Sequence, residues 1–242
     1  MKTTSTQKKL LIIIPARGGS IGIKDKNIIK LNNKPLIYFS FLASSFIKEK
    51  NKIVVCSSDS KKIINICKKF GLKNNIQRPK KYSSKYSLDI MFVNHALEHF
   101  SQKQIFFKYG LILRPTSPIR CRKTLNEAYL KFSKSNYNSM RAIVESPITP
   151  YKIWRKKGFK ITPILKYSKK EPFNMPRQKL PTTFWQTGNF EFFRINFKNK
   201  LLSISGKKIM GYEINKDQSL DIDSVDDLSD INRKLKKYFN KI

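Results

Sequence analysis

The segment from Leu10 to Asn27 constrains the fold of this 242-residue chain more than any other part of it. It opens with an apolar run, Leu11–Ile14, which Pro15 ends, and it continues into a glycine-rich turn, GGSIG at 18–22. A short apolar run bounded by turn signals is typical of a strand buried on both faces of a parallel sheet. Glycines after such a strand let several backbone N–H groups face an anion. The segment therefore predicts a phosphate-binding loop for a nucleotide.

The glycine pattern of this loop does not by itself decide its function. Arg17, Lys24 and Lys26 add positive charge. However, the loop lacks the Gly-Lys-Ser/Thr ending of a Walker A motif and the G-x-G-x-x-G spacing of a Rossmann loop. An ordinary strand-to-loop turn is therefore an equal alternative on this pattern alone.

The rest of the chain alternates between apolar strands and amphipathic helices, which predicts an α/β fold with a mostly parallel sheet. An apolar content of 40% and a length of 242 residues suit one large domain. Predicted strands lie at 11–14, 52–56, 109–113, 139–145 and 190–195. Predicted helices lie at about 34–48, 61–70, 88–100, 123–132 and 224–239.

The loop after the strand at 109–113 reads RPTSPIR and occupies residues 114–120. Ligands of open α/β sheets bind at the carboxyl ends of strands, so this loop is well placed to contact one. Its prolines stiffen the backbone, and Arg120 is a candidate for binding a carboxylate or a phosphate.

A net charge of +34 raises the alternative of a nucleic-acid-binding protein. The excess is mostly lysine and is scattered along the chain without a dense basic arm, which weakens that alternative. The same positive field would attract an acidic substrate. We therefore predict no specific nucleic-acid partner.

Three well-separated cysteines, Cys56, Cys67 and Cys121, form no C-x-x-C pair. That usage argues against a disulfide framework and fits a reducing cytoplasm. No apolar stretch approaches the ~20 residues that a membrane span requires, so we predict a cytoplasmic protein without a membrane partner.

Two patterns suggest metal sites. Asp221 and Asp223 are two residues apart, so on an extended backbone they face the same way and can share one Mg²⁺. The simpler interpretation is an acidic loop that caps the helix after Ser224. His95-Ala-Leu-Glu-His99 matches the H-x-x-E-H pattern of a zinc protease class, but an apolar stripe on the same helix favours an ordinary packed helix.

Four motifs, taken together and in order, resemble one enzyme family. They are IPARGGSIGIKDKN at 14–27, RPTSPIR at 114–120, PRQKLP at 176–181 and DID at 221–223. The chain resembles the acylneuraminate (CMP-nonulosonic acid) cytidylyltransferases over residues 10–240. The resemblance implies a Rossmann-like, mostly parallel sheet of the nucleotide-diphospho-sugar transferase type. It also implies the Mg²⁺-dependent conversion of CTP and an acidic nine-carbon keto sugar to a CMP-sugar and pyrophosphate.

The resemblance also implies roles for individual residues. Those implied to bind the nucleotide are Arg17, Gly18, Gly19, Ser20, Lys26, Asn27, Arg78, Ser87 and Asp89. Those implied to be catalytic are Lys26, Asp221 and Asp223, the two aspartates as metal ligands. Those implied to bind the sugar are Arg114, Lys152, Arg177, Gln178 and Thr187, with Arg177 on the carboxylate.

The domain organisation that follows is one cytidylyltransferase domain at 10–240 after a loose leader at 1–9. Within it, residues 147–183 resemble a dimerisation extension that covers the neighbouring subunit's active site, with a hairpin turning at 157–158. We therefore expect a homodimer in which Lys152 acts across the interface. The alternative for Lys152 is an ordinary solvated lysine.

Several positions depart from the family pattern. Ile21 stands where the family has Lys, Lys85-Tyr86 where it has Asp-Thr, Arg114 where it has Gln, and Thr187 where it has Asn. Because these changes concern nucleotide and sugar contacts, the sugar stays open among sialic, legionaminic, pseudaminic, keto-deoxy-nonulosonic and shorter keto-deoxy acids. A non-catalytic nucleotide-sugar-binding relative is the second interpretation, and a basic nucleic-acid-binding protein is the third.

Overall fold

The structure is a computed structural model that describes residues 6–20, 22–165, 171–196 and 200–239. The helices of these residues are α1 (Leu36–Ser44), α2 (Lys61–Lys69), α3 (Asp89–Ser101), α4 (Arg122–Lys134) and α5 (Asp226–Phe239). The strands are β1 (Thr6–Pro15), β2 (Lys30–Leu31), β3 (Lys34–Pro35), β4 (Lys52–Ser58), β5 (Asn74–Gln77), β6 (Ile105–Ile112), β7 (Ser139–Glu145), β8 (Trp154–Lys157), β9 (Lys160–Pro163), β10 (Phe184–Arg194) and β11 (Ile209–Glu213).

The main sheet has seven strands in the order β11-β7-β10-β6-β1-β4-β5. β10 runs antiparallel to both of its neighbours, and the other pairs are parallel. This arrangement confirms the predicted mostly parallel α/β sheet. Two small two-stranded sheets, β2-β3 and β8-β9, complete the strand pairing of the described residues.

β1 lies inside the sheet because its apolar run is covered on both faces. Leu10 and Ile12 pack in one cluster with Phe46 and with Phe132 of α4. Leu11 and Ile13 point to the other face, where a second cluster contains five residues of α3: Phe92, Val93, Ala96, Leu97 and Phe100. Helices on both faces explain why this strand reads as a continuous hydrophobic run rather than an alternating one.

The structure corrects the predicted N-terminal leader. β1 begins at Thr6 and pairs with β6 from there, so residues 6–9 are strand rather than loose leader. Residues 1–5 of that predicted leader, and Ile21, lie outside the described residues.

Two strands of the main sheet had no counterpart in the sequence-based prediction, nor did the small β2-β3 sheet. β5 is the short polar stretch NNIQ, and β11 is IMGYE, which is only partly buried. Both lie at the edges of the sheet. An edge strand is half solvated, so its sequence lacks the apolar run that identified the central strands.

The predicted hairpin of the 147–183 extension is present as β8 and β9. Gly158 in its turn has φ +58°, a left-handed conformation that glycine adopts without steric cost. The β8–β9 hairpin forms its own two-stranded sheet outside the main one. In the described parts of the chain, no helix is long and apolar enough to cross a membrane.

Gly110 of β6 gives a direct test of the sheet's packing. A Cβ at this position would lie 2.1 Å from Cζ of Phe193, which is directly opposite on β10 and fully buried. We expect Gly110→Ala to lower the free energy of unfolding by about 1–3 kcal/mol, the usual cost of overpacking a core, as measured by urea denaturation.

Two further variants control this test. Gly19→Ala should leave the urea midpoint nearly unchanged, because a Cβ there would meet nothing within 4 Å. Adding Phe193→Leu to Gly110→Ala should recover part of the loss, because the smaller side chain relieves the clash. An unchanged midpoint for Gly110→Ala would contradict this packing.

Candidate active site

A cleft of about 480 Å³ lies at the carboxyl edge of the sheet. Its walls come from the loop after β1, from residues 78–92, which join β5 to α3 and include the first turn of α3, and from the loop after β6. The predicted site residues that line it are Arg17, Ser20, Lys26, Asn27, Arg78, Ser87, Asp89, Arg114 and Asp223. Parallel strands thus bring together side chains that are far apart in the sequence.

The loop after β1 is held in shape by its own hydrogen bonds. The backbone N–H of Gly18 donates to Oδ1 of Asp59, at 2.9 Å. Nδ2 of Asn27 donates to the carbonyl oxygen of Arg17, at 2.8 Å. Gly18 and Gly19 do not line the cleft. Asn27 therefore supports the loop, and the Gly18 N–H already has a partner.

Lys26 joins this loop to the acidic segment near the C-terminus. Its Nζ donates to the carbonyl oxygen of Ile222 at 2.8 Å and lies 3.4 Å from Oδ1 of Asp223. The Lys26 side chain is 12% exposed, whereas that of Asp223 is 86% exposed. The ammonium group therefore anchors the backbone of the acidic segment more than it neutralises the Asp223 carboxylate.

The acidic segment is also fixed to the loop after β6. The N–H of Ile222 donates to the carbonyl oxygen of Thr116 at 2.8 Å, and the Ile222 side chain is fully buried. The Asp221 carboxylate accepts hydrogen bonds from Oγ of Ser117 and from the N–H of Gly188. Burial raises the pKa of Asp221, and the nearby charge of Asp223 adds to that rise.

Gly188 permits this close approach. A Cβ on it would lie 2.5 Å from Oγ of Ser117 and 3.0 Å from Oδ1 of Asp221. The charge of Asp223 acts on Asp221, but of the two aspartates only Asp223 lines the cleft, so their sharing of one Mg²⁺ stays a prediction. The described residues contain no group of three or more His, Cys, Asp or Glu side chains able to hold a metal.

Arg17 and Arg78 are cations of the cleft that lack carboxylate partners among the described residues. Arg78 is 5% exposed, and its Nε is buried without a hydrogen-bond partner in that part of the chain. Its guanidinium lies over the ring of Phe92, 5.4 Å from the centroid. Burial lowers the pKa of Arg78, against the opposing charge of Asp59, and the neighbouring Arg17 lowers it further. Two adjacent unpaired cations suit an anionic ligand.

A chain of alternating charges crosses the sheet beneath the cleft. Arg114 contacts Asp89 and Glu191, and Glu191 also accepts from Nη1 of Arg141 at 2.5 Å. Glu191 is 3% exposed and Arg141 is 8% exposed. Burial opposes the charge of Arg114, but hydrogen bonds and attraction from the two carboxylates outweigh it and raise the Arg114 pKa.

Arg120 does not have the anion-binding role that the sequence suggested, and this prediction is wrong. The side chain is 2% exposed and does not line the cleft. Its guanidinium donates to the carbonyl oxygens of Asn189 and Arg114 and to Oγ of Ser40. Burial lowers the pKa of Arg120, and the group acts as a buried connector of three segments.

The structure separates most of the residues predicted to bind the sugar. Arg114 lines the main cleft, while Arg177 and Gln178 line a second cavity of about 420 Å³. Thr187 is 2% exposed, and its hydroxyl donates to the carbonyl oxygen of Ala142. Lys152 is exposed on a short 3₁₀ helix. Within this single chain the five residues do not form one site.

Arg177 is held by the segment that leads into the extension. It donates to the carbonyl oxygens of Pro147 and Ser146 and pairs with Glu145 at 3.3 Å. Both partners of the ion pair are at least half exposed. Screening by water makes such a pair weak, so a ligand carboxylate could take the place of Glu145.

Sequence reasoning missed several residues that line the cleft and two that support it from behind. Ser117 and Glu191 act through partners that are distant in sequence, Asp221 and Arg114. The cleft residues that were not predicted as site residues are Pro15, Gly22, Tyr82, Ser83, Ser84, Lys85, Phe92, Pro115 and Thr116. The serine-rich stretch at 83–87 is the one signal that could have identified more of this wall.

The histidine pattern of α3 lies away from the cleft. Among the described residues, His95 and His99 line a smaller cavity with Glu98 and Tyr82. Burial lowers the pKa of both imidazoles. No group of three metal-binding side chains forms there or elsewhere in the described ranges, so the zinc-protease alternative receives no support.

Comparison with known proteins finds a family match that includes several residues of the cleft. The profile of the family described as Cytidylyltransferase matches residues 11–101, which contain the loop after β1, Arg78 and Asp89. A pseudaminic acid cytidylyltransferase of Campylobacter jejuni subsp. jejuni is 36% identical over 140 residues, which are 57% of this chain and 59% of that protein. Residues 11–101 thus match the cytidylyltransferase family model, and part of the chain is similar to named cytidylyltransferases.

Two further proteins are similar to this chain, one in sequence and one in structure. A CMP-N,N'-diacetyllegionaminic acid synthase of Legionella pneumophila is 35% identical over 123 residues, 50% of this chain and 51% of that protein. The matched region thus spans 51–59% of the length of these two relatives. The structure of a CMP:2-keto-3-deoxy-manno-octonic acid synthetase has a TM-score of 0.67 at 13% identity and covers 95% of this chain and 99% of its own. This likeness confirms the predicted fold.

Glu191 pairs with Arg114, which lines the cleft, and with Arg141, which lies on β7 of the main sheet. Because its carboxylate is 4% exposed and accepts from two guanidinium groups, Glu191→Gln leaves Arg141 without its ion-pair partner. Breaking a buried ion pair costs about 3–5 kcal/mol, and we expect a loss of this size in the free energy of unfolding measured with urea.

Glu145→Gln is the matched control for that measurement. Glu145 is 60% exposed and pairs with a half-exposed Arg177, so its substitution should cost less than about 1 kcal/mol. Equal losses for the two variants would show that the Arg114–Glu191–Arg141 chain does not stabilise the fold.

Proposed function

We propose that this chain transfers a cytidylyl group from CTP to an acidic nonulosonic (sialic-acid-like) sugar, giving a CMP-sugar and pyrophosphate in a Mg²⁺-dependent reaction. One observation carries the proposal: Lys26 holds the Asp221–Asp223 segment against a cleft whose cations Arg17 and Arg78 lack carboxylate partners. Carboxylates beside unpaired cations are the arrangement that a metal-bound triphosphate requires.

The nucleotide is proposed to occupy the main cleft. Its phosphates would lie along the loop after β1, where Arg17, Ser20 and Lys26 line the wall. The cytidine would lie against Arg78 and the segment Ser87–Asp89. Asn27 acts indirectly in this arrangement, because its side chain fixes the Arg17 carbonyl.

Asp221 and Asp223 fit a Mg²⁺ ion by their donor chemistry. They offer hard carboxylate oxygens, and their mutual repulsion and burial disfavour the ionised form of Asp221 in the chain alone. Mg²⁺ in nucleotide enzymes commonly takes one or two protein carboxylates and completes its shell with phosphates and water. When bound, the ion would neutralise charge on the phosphates.

The proposed chemistry is an in-line attack by the anomeric hydroxyl of the sugar on the α-phosphate of CTP. A bond forms between the sugar oxygen and the α-phosphorus, the bond to the β-phosphate oxygen breaks, and the hydroxyl proton is released. Such a reaction depends on positioning and on neutralising charge. Arg17 and Lys26 would hold the phosphates in line, and the well-anchored loop would limit their movement.

The sugar acid is proposed to reach this centre from the side of Arg177 and Gln178. A guanidinium can form two parallel hydrogen bonds with a carboxylate, and Arg177 is held in the second cavity by exposed and backbone groups. Relatives named for pseudaminic and N,N'-diacetyllegionaminic acid support an acidic nine-carbon keto sugar.

The 147–183 extension is proposed to form a homodimer. Isolated two-stranded hairpins are at best marginally stable in water, yet β8 and β9 are mostly exposed and carry Phe159 in their turn and Ile161. A second copy of the chain would cover this surface and bring Lys152 toward its neighbour.

The three cysteines form no disulfide among the described residues, which supports the cytoplasm as the proposed compartment.

The proposed reaction is tested by pyrophosphate release from CTP and Mg²⁺ with a panel of nonulosonic and keto-deoxy sugar acids. We expect release with one class of acid in the wild type and a loss of at least about 100-fold in Asp221→Asn, the scale seen when a group that stabilises the reacting charge is removed. Release that survives in the variant would contradict the role of Asp221. CTP binding without release from any acid would favour a non-catalytic nucleotide-sugar-binding relative.

The same variant separates activity from folding. The raised pKa of Asp221 means that the folded chain binds its proton more tightly than the unfolded chain, so ionisation destabilises the fold as the pH rises through that raised pKa. Without metal at neutral pH, Asp221→Asn should therefore gain about 1 kcal/mol in unfolding free energy. The gain should shrink as the pH falls toward the usual aspartate range. A destabilised variant would show that lost activity reflects misfolding.

The dimer is tested by sedimentation velocity of the wild type and of Ile161→Asp. Ile161 is 52% exposed in the single chain, and a buried charge at the interface should shift the dimer toward monomer by at least about tenfold in dissociation constant. Leu202→Asp, at a 95% exposed position outside the extension, should remain dimeric. A monomeric wild type at micromolar concentration would refute the dimer.

A further inference from the structure

The Asp221 carboxylate is held by two neutral hydrogen-bond donors. Its Oδ1 accepts from the hydroxyl of Ser117, and the carboxylate also accepts from the N–H of Gly188. In the described part of the chain, Asp221 forms no ion pair. Glu191, by contrast, pairs with two guanidinium groups. The charge of Glu191 is thus already balanced by contact, whereas the charge of Asp221 is available to a cation that binds to the chain.

Ser117 belongs to a loop that contacts the acidic segment at two consecutive residues. The carbonyl oxygen of Thr116 accepts from the N–H of Ile222 at 2.8 Å, and the next side chain, that of Ser117, donates to Asp221. Ser117 is fully buried, and its own N–H donates to the carbonyl oxygen of Arg114 at 3.2 Å. A buried hydroxyl in a loop bonded in this way has little freedom, so it fixes the orientation of the carboxylate that it contacts.

Gly188 of β10 packs against the same contact. A Cβ on it would lie 2.5 Å from Oγ of Ser117, and 3.0 and 3.2 Å from the two carboxylate oxygens of Asp221. The backbone of β10 therefore limits the movement of both side chains.

Arg120 adds a charge near this contact without taking part in it. Its positive charge acts on Asp221, but its guanidinium donates to the carbonyl oxygens of Asn189 and Arg114 and to Oγ of Ser40. The carboxylate is therefore favoured by a cation at longer range and keeps its own lone pairs for other partners.

An oriented carboxylate without a contacting cation suits a metal site. A carboxylate has about four lone-pair positions, and Ser117 and Gly188 each use one. Of the two aspartates only Asp223 lines the cleft, whereas Asp221 is partly buried. Mg²⁺ in proteins keeps several of its waters, so a carboxylate set back from the cleft can act on the ion directly or through a water. In both cases the hydrogen bonds that orient the carboxylate influence how tightly the metal binds.

We propose that Ser117 is a positioning residue of the metal site, whose hydroxyl fixes the orientation in which the Asp221 carboxylate acts on Mg²⁺. This inference rests on the proposed function, because it takes a metal-bound triphosphate as the ligand. Ser117 does not line the cleft, so its effect on the metal passes through Asp221. Gly188 leaves the space that this contact requires.

Binding of Mn²⁺ to the full chain, followed by electron paramagnetic resonance, tests this proposal without turnover. Mn²⁺ takes the same oxygen ligands as Mg²⁺, and a CTP analogue with a methylene group between the α- and β-phosphates supplies an unreactive triphosphate. We expect Ser117→Ala to raise the Kd for Mn²⁺ about 10- to 100-fold, the usual effect of removing a partner that orients a metal ligand. Binding of the analogue without metal should be unchanged, because Ser117 does not line the cleft.

Ser57→Ala is the matched control. Ser57 lies on β4, is fully buried like Ser117, and has a hydroxyl without a hydrogen-bond partner among the described residues. The control therefore removes a buried hydroxyl of the same size that contacts no carboxylate, and it should keep the wild-type Kd for Mn²⁺. Ser117→Cys keeps a side chain of similar shape but offers only a weak donor, so its Kd should lie between those of the wild type and Ser117→Ala.

The Mg²⁺ dependence of pyrophosphate release gives a second readout. Ser117→Ala should need about 10- to 100-fold more Mg²⁺ for half-maximal rate, and its kcat at saturating Mg²⁺ should recover toward the wild-type value. A residue that only stabilises the fold would lower the rate equally at every Mg²⁺ concentration.

The contrary outcomes can be told apart. An unchanged Kd for Mn²⁺ in Ser117→Ala overturns the inference and leaves the proposed reaction intact. Equal losses of Mn²⁺ binding and of metal-free analogue binding also overturn it, because the variant then alters the cleft as a whole. A wild type that binds the analogue but no Mn²⁺ overturns the inference together with the Mg²⁺ dependence, whereas a wild type that binds neither refutes the proposed function itself.

Discussion

The hydrogen bond from Lys26 to the Ile222 carbonyl joins parts of the chain that are 196 residues apart, and the geometry of the site depends on it. On one side it fixes the loop after β1. On the other it holds the Asp221–Asp223 segment, which the Ile222 side chain anchors in the core and the Thr116 carbonyl ties to the loop after β6. A partly buried ammonium is well suited to this role, because it donates several bonds at once. The contact therefore brings the carboxylates to the cations of the cleft.

The high net charge of this chain matters less than the partners of particular cations. Among the described residues, Arg114 is already paired with two carboxylates, and Arg120 is a buried connector. Arg17 and Arg78 lack carboxylate partners in that part of the chain, and they line the cleft. Affinity for an anion comes from cations whose charge is not already neutralised. The placement of two arginines thus says more about function than a total of +34.

The charge of Arg114 is balanced by the side chains that surround it. Arg114, which stands where the resembled family has glutamine, adds a charge in the wall of the cleft, where an unpaired charge is costly. Asp89 and Glu191 surround that charge, and Arg141 balances Glu191 on the far side. The two arginines and the two carboxylates balance in charge. Such a network recognises a ligand through the directions of its hydrogen bonds rather than through net charge.

The sequence by itself determined the central strands, the glycine-rich loop after β1 and the position of the acidic segment, because continuous apolar runs and local motifs encode them within a few residues. Only the tertiary structure decided which side chains meet. Edge strands such as Asn74–Gln77 were missed because half-solvated strands lack an apolar run. The burial of Arg120, the Ser117–Asp221 contact and the Arg114–Asp89 pair join residues whose neighbours are set by sheet order. Local sequence carries no record of such long-range contacts, since they arise when parallel strands place their carboxyl ends at one edge.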